Sequence, residues 1–161
     1  MKTTIDTPFG PFTMLVRGGS VLASGFTDDE EQLWGLVHPR LRGDIDGDAY
    51  AAAKAVAAYF DGDLTALDTV EVVQRNDGGY LTGAWDTLRE VTPGDPITYT
   101  EYARRTGRPA AIRAAAQACA RNAAALFVPC HRVVRTDGTL GGYRWGLDVK
   151  RGLLAHEETR S

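Results

Sequence analysis

The residues with the clearest chemical potential lie together in the run Pro129-Cys130-His131-Arg132, where a thiol, an imidazole and a guanidinium directly follow a proline. Proline fixes its own backbone and disfavours helix at the preceding residue, so Cys130 is predicted to sit at a rigid corner between elements. The thiolate is the reactive form of cysteine, and a neighbouring His or Arg lowers the pKa of a thiol. Most free cysteines are small buried hydrophobes, but this setting favours Cys130 as a nucleophile.

Composition and length limit the classes of protein to which the chain could belong. Its 161 residues are enough for one domain or two small ones, and 43% hydrophobic with 24% charged residues is typical of a globular protein. The sequence has neither an 18-residue apolar run nor an apolar signal-peptide core, so a cytoplasmic protein without a membrane partner is expected. The two cysteines and three histidines lack zinc-ligand spacing, so no metal is expected.

The arginines are concentrated in one part of the chain. Residues 99–135 contain seven arginines and one acid, Glu101, and carry +6, which leaves −9 for the rest of a chain whose net charge is −3. A basic stretch on an acidic protein indicates a local surface for a polyanion, although a solvated helix surface would give the same pattern. The seven residues are Arg104, Arg105, Arg108, Arg113, Arg121, Arg132 and Arg135.

The first half of the chain has the pattern of a mixed α/β domain. Residues 2–26 combine alternating apolar residues with two turn sequences, which predicts a β-meander. Asn76–Gly79 is the predicted boundary between an N-terminal domain of residues 1–76 and a C-terminal domain of residues 77–161. The elements predicted after the meander are a short helix from Asp28 to Val37, a helix over Asp48–Phe60 and a strand over Asp68–Gln74.

The second half has mainly helical periodicity. A helix beginning at Thr98, with Glu101 at capping-box spacing, is followed after Gly107 by an alanine-rich helix over Ala110–Arg121, which is the outline of a helix-turn-helix. The small residues of the second helix are compatible with close approach to a groove or with tight core packing. The other predicted elements are a helix over Tyr80–Val91, a strand at Val133–Val134, a glycine-rich loop over Leu140–Gly146 that could form a wall for a flat ligand, and a helix over Val149–Glu157.

The run Pro129–Val134 resembles the active-site motif of the O6-alkylguanine-DNA alkyltransferases, DNA-repair proteins that accept an alkyl group on their own cysteine. The resemblance extends from about Pro93 to Glu157 and includes Arg135–Leu140 and Gly142–Gly146. It implies an α/β (α+β) protein: an N-terminal α/β domain of ribonuclease-H-like topology, and a mostly helical C-terminal domain that contains the helix-turn-helix and the cysteine.

This resemblance implies catalytic roles for individual residues. Cys130 would be the nucleophile and permanent alkyl acceptor, His131 its base through a bound water, and Glu157 the residue that orients His131. Asn122 would brace the turn before the cysteine. Tyr99 would donate its hydroxyl to guanine N3 as the base leaves.

The resemblance also implies a pocket for the alkylated guanine. The backbone carbonyl of Val133, together with that of Cys130, would hold the guanine amino group, and the backbone amide of Arg144 would meet the guanine oxygen. Tyr143 would form one wall, with Cys119 near the other side.

The implied partner is double-stranded DNA, bound in the minor groove largely independently of sequence. Arg113 would fill the gap left when the target nucleotide is rotated out of the duplex. Tyr99, Ala114, Ala115 and Arg121 would complete the contact with DNA.

The activity implied is the stoichiometric, irreversible transfer of an alkyl group from O6-alkylguanine to Cys130 by a monomer without a cofactor, with O4-alkylthymine as a second candidate substrate. Three alternatives are considered beside it. A lesion-binding protein without chemistry is disfavoured because such relatives lack the cysteine, which is present here. A cysteine hydrolase could use Cys130, His131 and Glu157, although adjacent nucleophile and base are unusual there. A transcriptional regulator could use the helix-turn-helix, but the pattern indicates no separate sensor domain.

Overall fold

The structure is a computed structural model that describes residues 3–45 and 49–158. The chain forms two compact units, one of Met1–Arg75 with Ala123–Phe127 and one of Asn76–Asn122 with Val128–Ser161. Both units contain strands and helices, which confirms the mixed α/β fold class. None of the helices within the described ranges is long and apolar enough to cross a membrane.

The first unit is built on the predicted β-meander. Strands β1 (Thr3–Thr7), β2 (Gly10–Arg17) and β3 (Ser20–Gly25) pair antiparallel in the order β1-β2-β3. Gly18 and Gly19 form the turn between β2 and β3 with φ of +58° and +84°. Two consecutive positive φ angles are what a tight hairpin turn requires, and glycine adopts them without a steric cost.

Two helices follow the meander, as predicted, but the predicted strand does not. Helices α1 (Glu30–Trp34) and α2 (Tyr50–Phe60) are present, and Asp48, the predicted start of the second, lies outside the described residues. The prediction of a strand over Asp68–Gln74 was wrong. A 3-10 turn at Ala66–Thr69 uses the first part of that segment, so that only a single parallel bridge, Val21 to Val72, is formed.

The segment Ala123–Phe127 belongs to the first unit, although the sequence pattern assigned it to the second domain. The Ser24 amide donates to the Ala123 carbonyl (2.9 Å), the Ala125 amide donates to the Ser24 carbonyl (3.1 Å), and the Ser24 hydroxyl donates to the Ala125 carbonyl (2.8 Å). A buried segment must satisfy its backbone groups, and Ser24 of β3 provides the partners. The chain therefore leaves the second unit after Asn122 and re-enters it at Val128.

The second unit contains the predicted helices α3 (Tyr80–Leu88), α4 (Tyr99–Arg105), α5 (Ile112–Ala120) and α6 (Leu147–Glu158). The Thr98 hydroxyl accepts from the Glu101 amide at 3.0 Å, which confirms the predicted cap of α4. The Trp85 indole donates to the Ala118 carbonyl at 2.9 Å and thereby ties α3 to α5. Helices α4 and α5 form the predicted helix-turn-helix.

A two-stranded parallel ladder in this unit was only half predicted. Strand β5 (Val133–Val134) was expected, but its partner β4 (Ile97–Thr98) falls where the pattern indicated only a helix start. Tyr99 follows β4 directly, and the turn that begins with Cys130 precedes β5 directly. The ladder therefore fixes the backbone on which both side chains stand.

Candidate active site

Cys130 begins a 3-10 turn (Cys130–Arg132) immediately after Pro129, which confirms the predicted corner. Its side chain is almost buried, with 9% of its surface exposed. The Asn122 amide nitrogen Nδ2 donates to the Val128 carbonyl at 2.8 Å and to Cys130 Sγ at 3.4 Å. Asn122 therefore joins the two points at which the chain leaves and re-enters the second unit, and it presents a donor to the sulfur.

The sequence predicted that an adjoining His or Arg lowers the pKa of the Cys130 thiol, but the net shift is upward. Burial raises the pKa of Cys130, and the opposing effects of the Asn122 hydrogen bond and of the Lys150 and Arg144 charges do not overcome it. Arg132 cannot help because its guanidinium is directed to Glu157. The resting sulfur is therefore a thiol at neutral pH and needs a base before it can attack.

A base is available in a buried cluster of three residues: His131, Arg132 and Glu157. The His131 Nε2 and Glu157 Oε2 atoms are 2.7 Å apart. Arg132 donates from Nε to Glu157 Oε1 at 3.0 Å and from Nη2 to Oε2 at 3.1 Å, and its Nη1 donates to the Val91 carbonyl at 2.7 Å. Buried charges are tolerated when they are paired and hydrogen-bonded in this way.

The cluster determines which nitrogen of His131 can accept a proton. Burial alone would raise the pKa of Glu157, but His131 and Arg132 together hold it well below the usual range, so the carboxylate is ionised and only accepts. Burial lowers the pKa of His131, which is neutral at pH 7 and must carry its proton on Nε2, towards Glu157. The lone pair is then on Nδ1, which has no hydrogen-bond partner among the residues that the structure describes.

The role of Arg132, which the sequence did not decide, follows from its burial. Only 3% of its surface is exposed, so it is a structural partner of Glu157 and does not contact a phosphate. The sequence of α6 contains a signal that could have pointed to this buried partnership: Lys150, Leu153 and Glu157 recur at helical spacing, and all three are buried. Charged residues on the buried face of a helix indicate buried polar partners elsewhere in the chain.

Tyr99 lies beside a cavity of about 770 Å³ in the second unit. Burial and the thiols of Cys119 and Cys130 raise the pKa of Tyr99 to about 12, so the hydroxyl stays protonated and can donate. Among the described residues, those that line the cavity do not include Cys130. They are Tyr99, Ala110, Ile112, Arg113, Ala116, Arg135, Thr136, Gly141 and Gly142.

The glycine-rich loop after β5 approaches Tyr99 closely. A Cβ built on Gly141 would lie 3.1 Å from Tyr99 Cε2 and 3.2 Å from its hydroxyl oxygen, and Gly141 has φ +75°. Tyr143 of the same loop is half-buried, with its ring centroid 6.5 Å from that of His131 in an edge-on arrangement. The Arg144 guanidinium donates to the Ala120 carbonyl at the end of α5, so the loop is anchored to that helix.

Two predicted pocket residues need further comment. The Val133 carbonyl already accepts from Lys150 Nζ at 2.8 Å, which leaves one lone pair for a ligand. Cys119 is half-buried on α5, and burial raises the pKa of its thiol well above the ordinary value. Lys150 itself was missed because an isolated lysine in a helix is ordinarily a surface residue.

Helix α5 exposes part of its small-residue surface. Arg113 and Arg121 are exposed at its two ends, and Ala114 is partly exposed. The prediction that Ala115 contacts DNA is corrected, because its side chain is fully buried among the helices of the second unit. Ala116, one residue further along, lines the cavity in its place.

Most of the predicted basic surface is present. Of the seven arginines in residues 99–135, all except Arg132 are exposed. Glu101 accepts from Arg104 at 2.5 Å and from Arg105 at 2.8 Å and so partly neutralises both. A positive surface on the helix-turn-helix unit suits a polyanion.

Taken together, a buried cysteine with an adjacent base, on a unit that contains a basic helix-turn-helix, defines a nucleic-acid-binding protein with a cysteine nucleophile. A profile described as 6-O-methylguanine DNA methyltransferase, DNA binding domain matches residues 81–159. The methylated-DNA–protein-cysteine methyltransferase of Mycobacterium tuberculosis is 36% identical over 160 residues, which are 98% of this chain and 92% of that protein. The chain therefore belongs to the methylated-DNA–protein-cysteine methyltransferase family.

Two further similarities concern structure and length. The crystal structure of Mycobacterium tuberculosis OGT in complex with DNA is 33% identical to this chain, with a TM-score of 0.83 and coverage of 99% of this chain and 94% of that one. The bifunctional transcriptional activator and DNA repair enzyme Ada of Escherichia coli is 51% identical over 73 residues. That match covers 45% of this chain and 21% of Ada, so the chain spans about a fifth of Ada's length.

The Gly141 contact leads to a stability prediction. Replacing Gly141 with Ala forces a Cβ into a left-handed backbone position and against Tyr99, so we expect a loss of about 1–2 kcal/mol in the free energy of unfolding. Urea denaturation measures it. The matched control is Gly142→Ala, where a Cβ meets nothing within 4 Å, and a change below about 0.5 kcal/mol is expected. Equal losses in both variants would show that the Tyr99 contact is unimportant.

The Glu157 cluster leads to a pH prediction. Glu157→Gln leaves Arg132 buried without its counterion, and at pH 7 we expect a loss of about 3 kcal/mol in the free energy of unfolding. Because folding lowers the pKa of Glu157, its contribution is present above the ordinary carboxyl pKa of about 4.3 and is lost as the pH falls towards the folded value. The difference in the free energy of unfolding between Glu157→Gln and the unmodified protein should therefore become smaller below about pH 4.

Denaturant titrations at a series of pH values test this expectation, with Glu158→Gln as the control. Glu158 is the exposed neighbour of Glu157 on α6, and its replacement removes the same charge without breaking a buried contact. A loss in the free energy of unfolding for Glu157→Gln that stays constant between pH 3 and pH 7 would contradict the assignment of an ionised, stabilising carboxylate.

Proposed function

We propose that this chain repairs alkylated DNA by transferring the alkyl group of O6-alkylguanine irreversibly to Cys130, one group per molecule. The observation that carries the proposal is the buried His131–Glu157–Arg132 cluster beside the cysteine, in a chain of the methylated-DNA–protein-cysteine methyltransferase family. The names of the relatives specify a protein cysteine as acceptor. Cys130, and not Cys119, has the adjacent imidazole that its protonated thiol requires.

The first step is removal of the thiol proton. The proton of Cys130 passes through one bridging water to Nδ1 of His131, the nitrogen that carries the lone pair. Glu157, 2.7 Å from Nε2, stabilises the imidazolium that forms. The Asn122 donor, 3.4 Å from the sulfur, stabilises the thiolate.

The second step is displacement at the alkyl carbon. A bond forms between Cys130 Sγ and the alkyl carbon as the bond from that carbon to guanine O6 breaks, and the electron pair remains on the guanine. Tyr99, whose hydroxyl is protonated at neutral pH, donates its proton to guanine N3, and the imidazolium returns a proton to Tyr99. The thiol proton thus ends on Tyr99 and the Tyr99 proton on the guanine, so that the net transfer is one proton from thiol to guanine and the balance needs no cofactor. Donors that meet charge developing on the leaving group stabilise the transition state.

The pocket contacts follow the same logic. The remaining lone pair of the Val133 carbonyl accepts from the guanine amino group, and the Arg144 amide meets the guanine oxygen. Tyr143 and Cys119 bound the pocket, and Gly141 lets the loop backbone lie against Tyr99. A flat ligand between such walls loses little freedom on reaction, which lowers the barrier by proximity.

The proposed partner is double-stranded DNA, approached by α5 from the minor groove largely independently of sequence. Three features support this: Arg113 lines the same cavity as Tyr99, α5 exposes small residues, and the exposed arginines suit phosphates. The alkylated oxygen lies inside the base stack, so the nucleotide must be extruded. We propose that the protein acts as a monomer, because every step uses residues of one chain, and in the cytoplasm, where two free cysteines persist.

The decisive test is intact-protein mass spectrometry after mixing with an oligonucleotide that carries O6-methylguanine. We expect a mass gain of one methyl group per protein, mapped by peptide analysis to Cys130, and no gain in Cys130→Ser. Tight binding of the oligonucleotide without a mass gain would instead identify a lesion-recognition protein, and a gain on Cys119 would reassign the nucleophile.

The role of Arg113 is tested by comparing two substrates. In Arg113→Ala the single-turnover rate on duplex DNA should fall about tenfold or more, a loss of about 1.4 kcal/mol in transition-state stabilisation, because the gap left by the extruded nucleotide is not filled. The rate with free O6-benzylguanine should stay within about twofold, since nothing needs to be extruded. Arg151→Ala, which removes an exposed arginine on α6, controls for net charge. An equal loss on both substrates would exclude the extrusion role.

A further inference from the structure

Lys150 is a buried cation that the proposed chemistry does not use. None of its surface is exposed, and its Nζ donates to the carbonyls of Val133 (2.8 Å), Leu140 (2.5 Å) and Gly142 (3.2 Å). An ammonium group has three donors, and three carbonyls meet them here. A neutral amine would have only two donors and would leave one buried carbonyl against its own lone pair, so the contacts fit the charged form.

The three carbonyls belong to the two segments that form the candidate pocket. Val133 ends the turn that begins with Cys130, and Leu140 and Gly142 flank Gly141, whose backbone lies against Tyr99. One ammonium group therefore ties the strand after the nucleophile to the loop beside the proposed proton donor. Loss of that group would free both segments.

The charge of Lys150 is unusual because it has no acidic partner among the residues that the structure describes. None of the ion pairs found within residues 3–45 and 49–158 includes it. A buried cation held only by carbonyls is costly, and neutral donors could hold the same carbonyls without burying a charge. The anion that could compensate it is the thiolate of Cys130, which forms during the reaction.

The surroundings of the two groups agree with this pairing. The Lys150 and Arg144 charges and the Asn122 hydrogen bond lower the pKa of Cys130, against the larger effect of burial. Burial lowers the pKa of Lys150, while Cys130 and Cys119 raise it and Arg135 lowers it further. Lys150 also contributes to the lowered pKa of His131, which keeps that residue neutral and able to accept a proton.

We propose that Lys150 is a positioning residue for alkyl transfer: its ammonium fixes the carbonyls of Val133, Leu140 and Gly142 and is the permanent countercharge of the Cys130 thiolate. The positioning half of the proposal rests on the proposed function. The countercharge half concerns the thiol alone and is tested without an alkylguanine.

The experiment compares Lys150→Met and Lys150→Arg with Lys54→Met, which removes an exposed lysine in the first unit. The first readout is the rate at which iodoacetamide alkylates Cys130, followed by peptide mapping from pH 6 to pH 10. The second is the rate with free O6-benzylguanine. Iodoacetamide reports thiolate formation, whereas O6-benzylguanine also requires the pocket.

In Lys150→Met the midpoint of the iodoacetamide profile should move up by about one pH unit, so that the rate at pH 8 falls about tenfold. The rate with O6-benzylguanine should fall further. Lys150→Arg should restore the midpoint but not the O6-benzylguanine rate, because a planar guanidinium cannot direct its donors to three carbonyls arranged around an ammonium. Lys54→Met should match the unmodified protein in both readouts.

A folded Lys150→Met variant with an unchanged midpoint would overturn the proposal. If that variant does not fold, as judged by its near-ultraviolet circular dichroism, nitrogen NMR of the unmodified protein decides. The Lys150 Nζ signal should shift with the titration of Cys130 and on its alkylation, since the coupling is reciprocal, and an unaffected signal would overturn the proposal. Failure of the unmodified protein to react with O6-benzylguanine, with the midpoint still shifted in Lys150→Met, would refute the proposed function and leave the countercharge intact.

Discussion

The organisation of the second unit depends on one buried carboxylate. Glu157 cannot remain ionised away from water without compensation, and Arg132 supplies it through two hydrogen bonds. With the carboxylate ionised, its contact with His131 assigns the imidazole proton to Nε2 and leaves Nδ1 as the acceptor. The C-terminal helix thus determines the chemistry of a turn about 25 residues earlier in the chain. The nitrogen of His131 that can accept a proton is therefore set by a constraint on charge burial.

The backbone contributes as much to the site as the side chains. The β4–β5 ladder holds the residues before Tyr99 and after Cys130 in parallel register. Asn122 closes the gap between the two parts of the second unit and, with the same amide group, contacts the sulfur. Lys150 donates to three carbonyls and so links the strand after Cys130 to the loop beside Tyr99. Each contact leaves a reacting group in one position before a substrate arrives, which is how preorganisation lowers a barrier.

Helix α5 shows how one residue type serves two purposes. Ala115 and Ala118 are fully buried, where their size lets α5 lie close to its neighbours, whereas Ala116 lines the cavity. The sequence left groove contact and core packing as alternatives for these alanines, and the structure shows core packing for Ala115 and Ala118 on one face, while Ala116 on another face lines the cavity. Arg113 is exposed in the first turn of the helix. A helix of this composition is suited to close approach to a narrow groove.

By itself the sequence determined the meander, the helices, the capped start of α4 and the cysteine corner, because these depend on local periodicity, turn residues and caps. It also placed Cys130, His131 and Glu157 in one site, through a resemblance carried by contiguous residues. The partners of buried charges, the strand at Ile97–Thr98 and the single bridge at Val72 could not be predicted, since each depends on residues distant in sequence. The net shift of the Cys130 pKa is upward for the same reason: burial is a property of the fold, and here it outweighs the Asn122 hydrogen bond and the Lys150 and Arg144 charges.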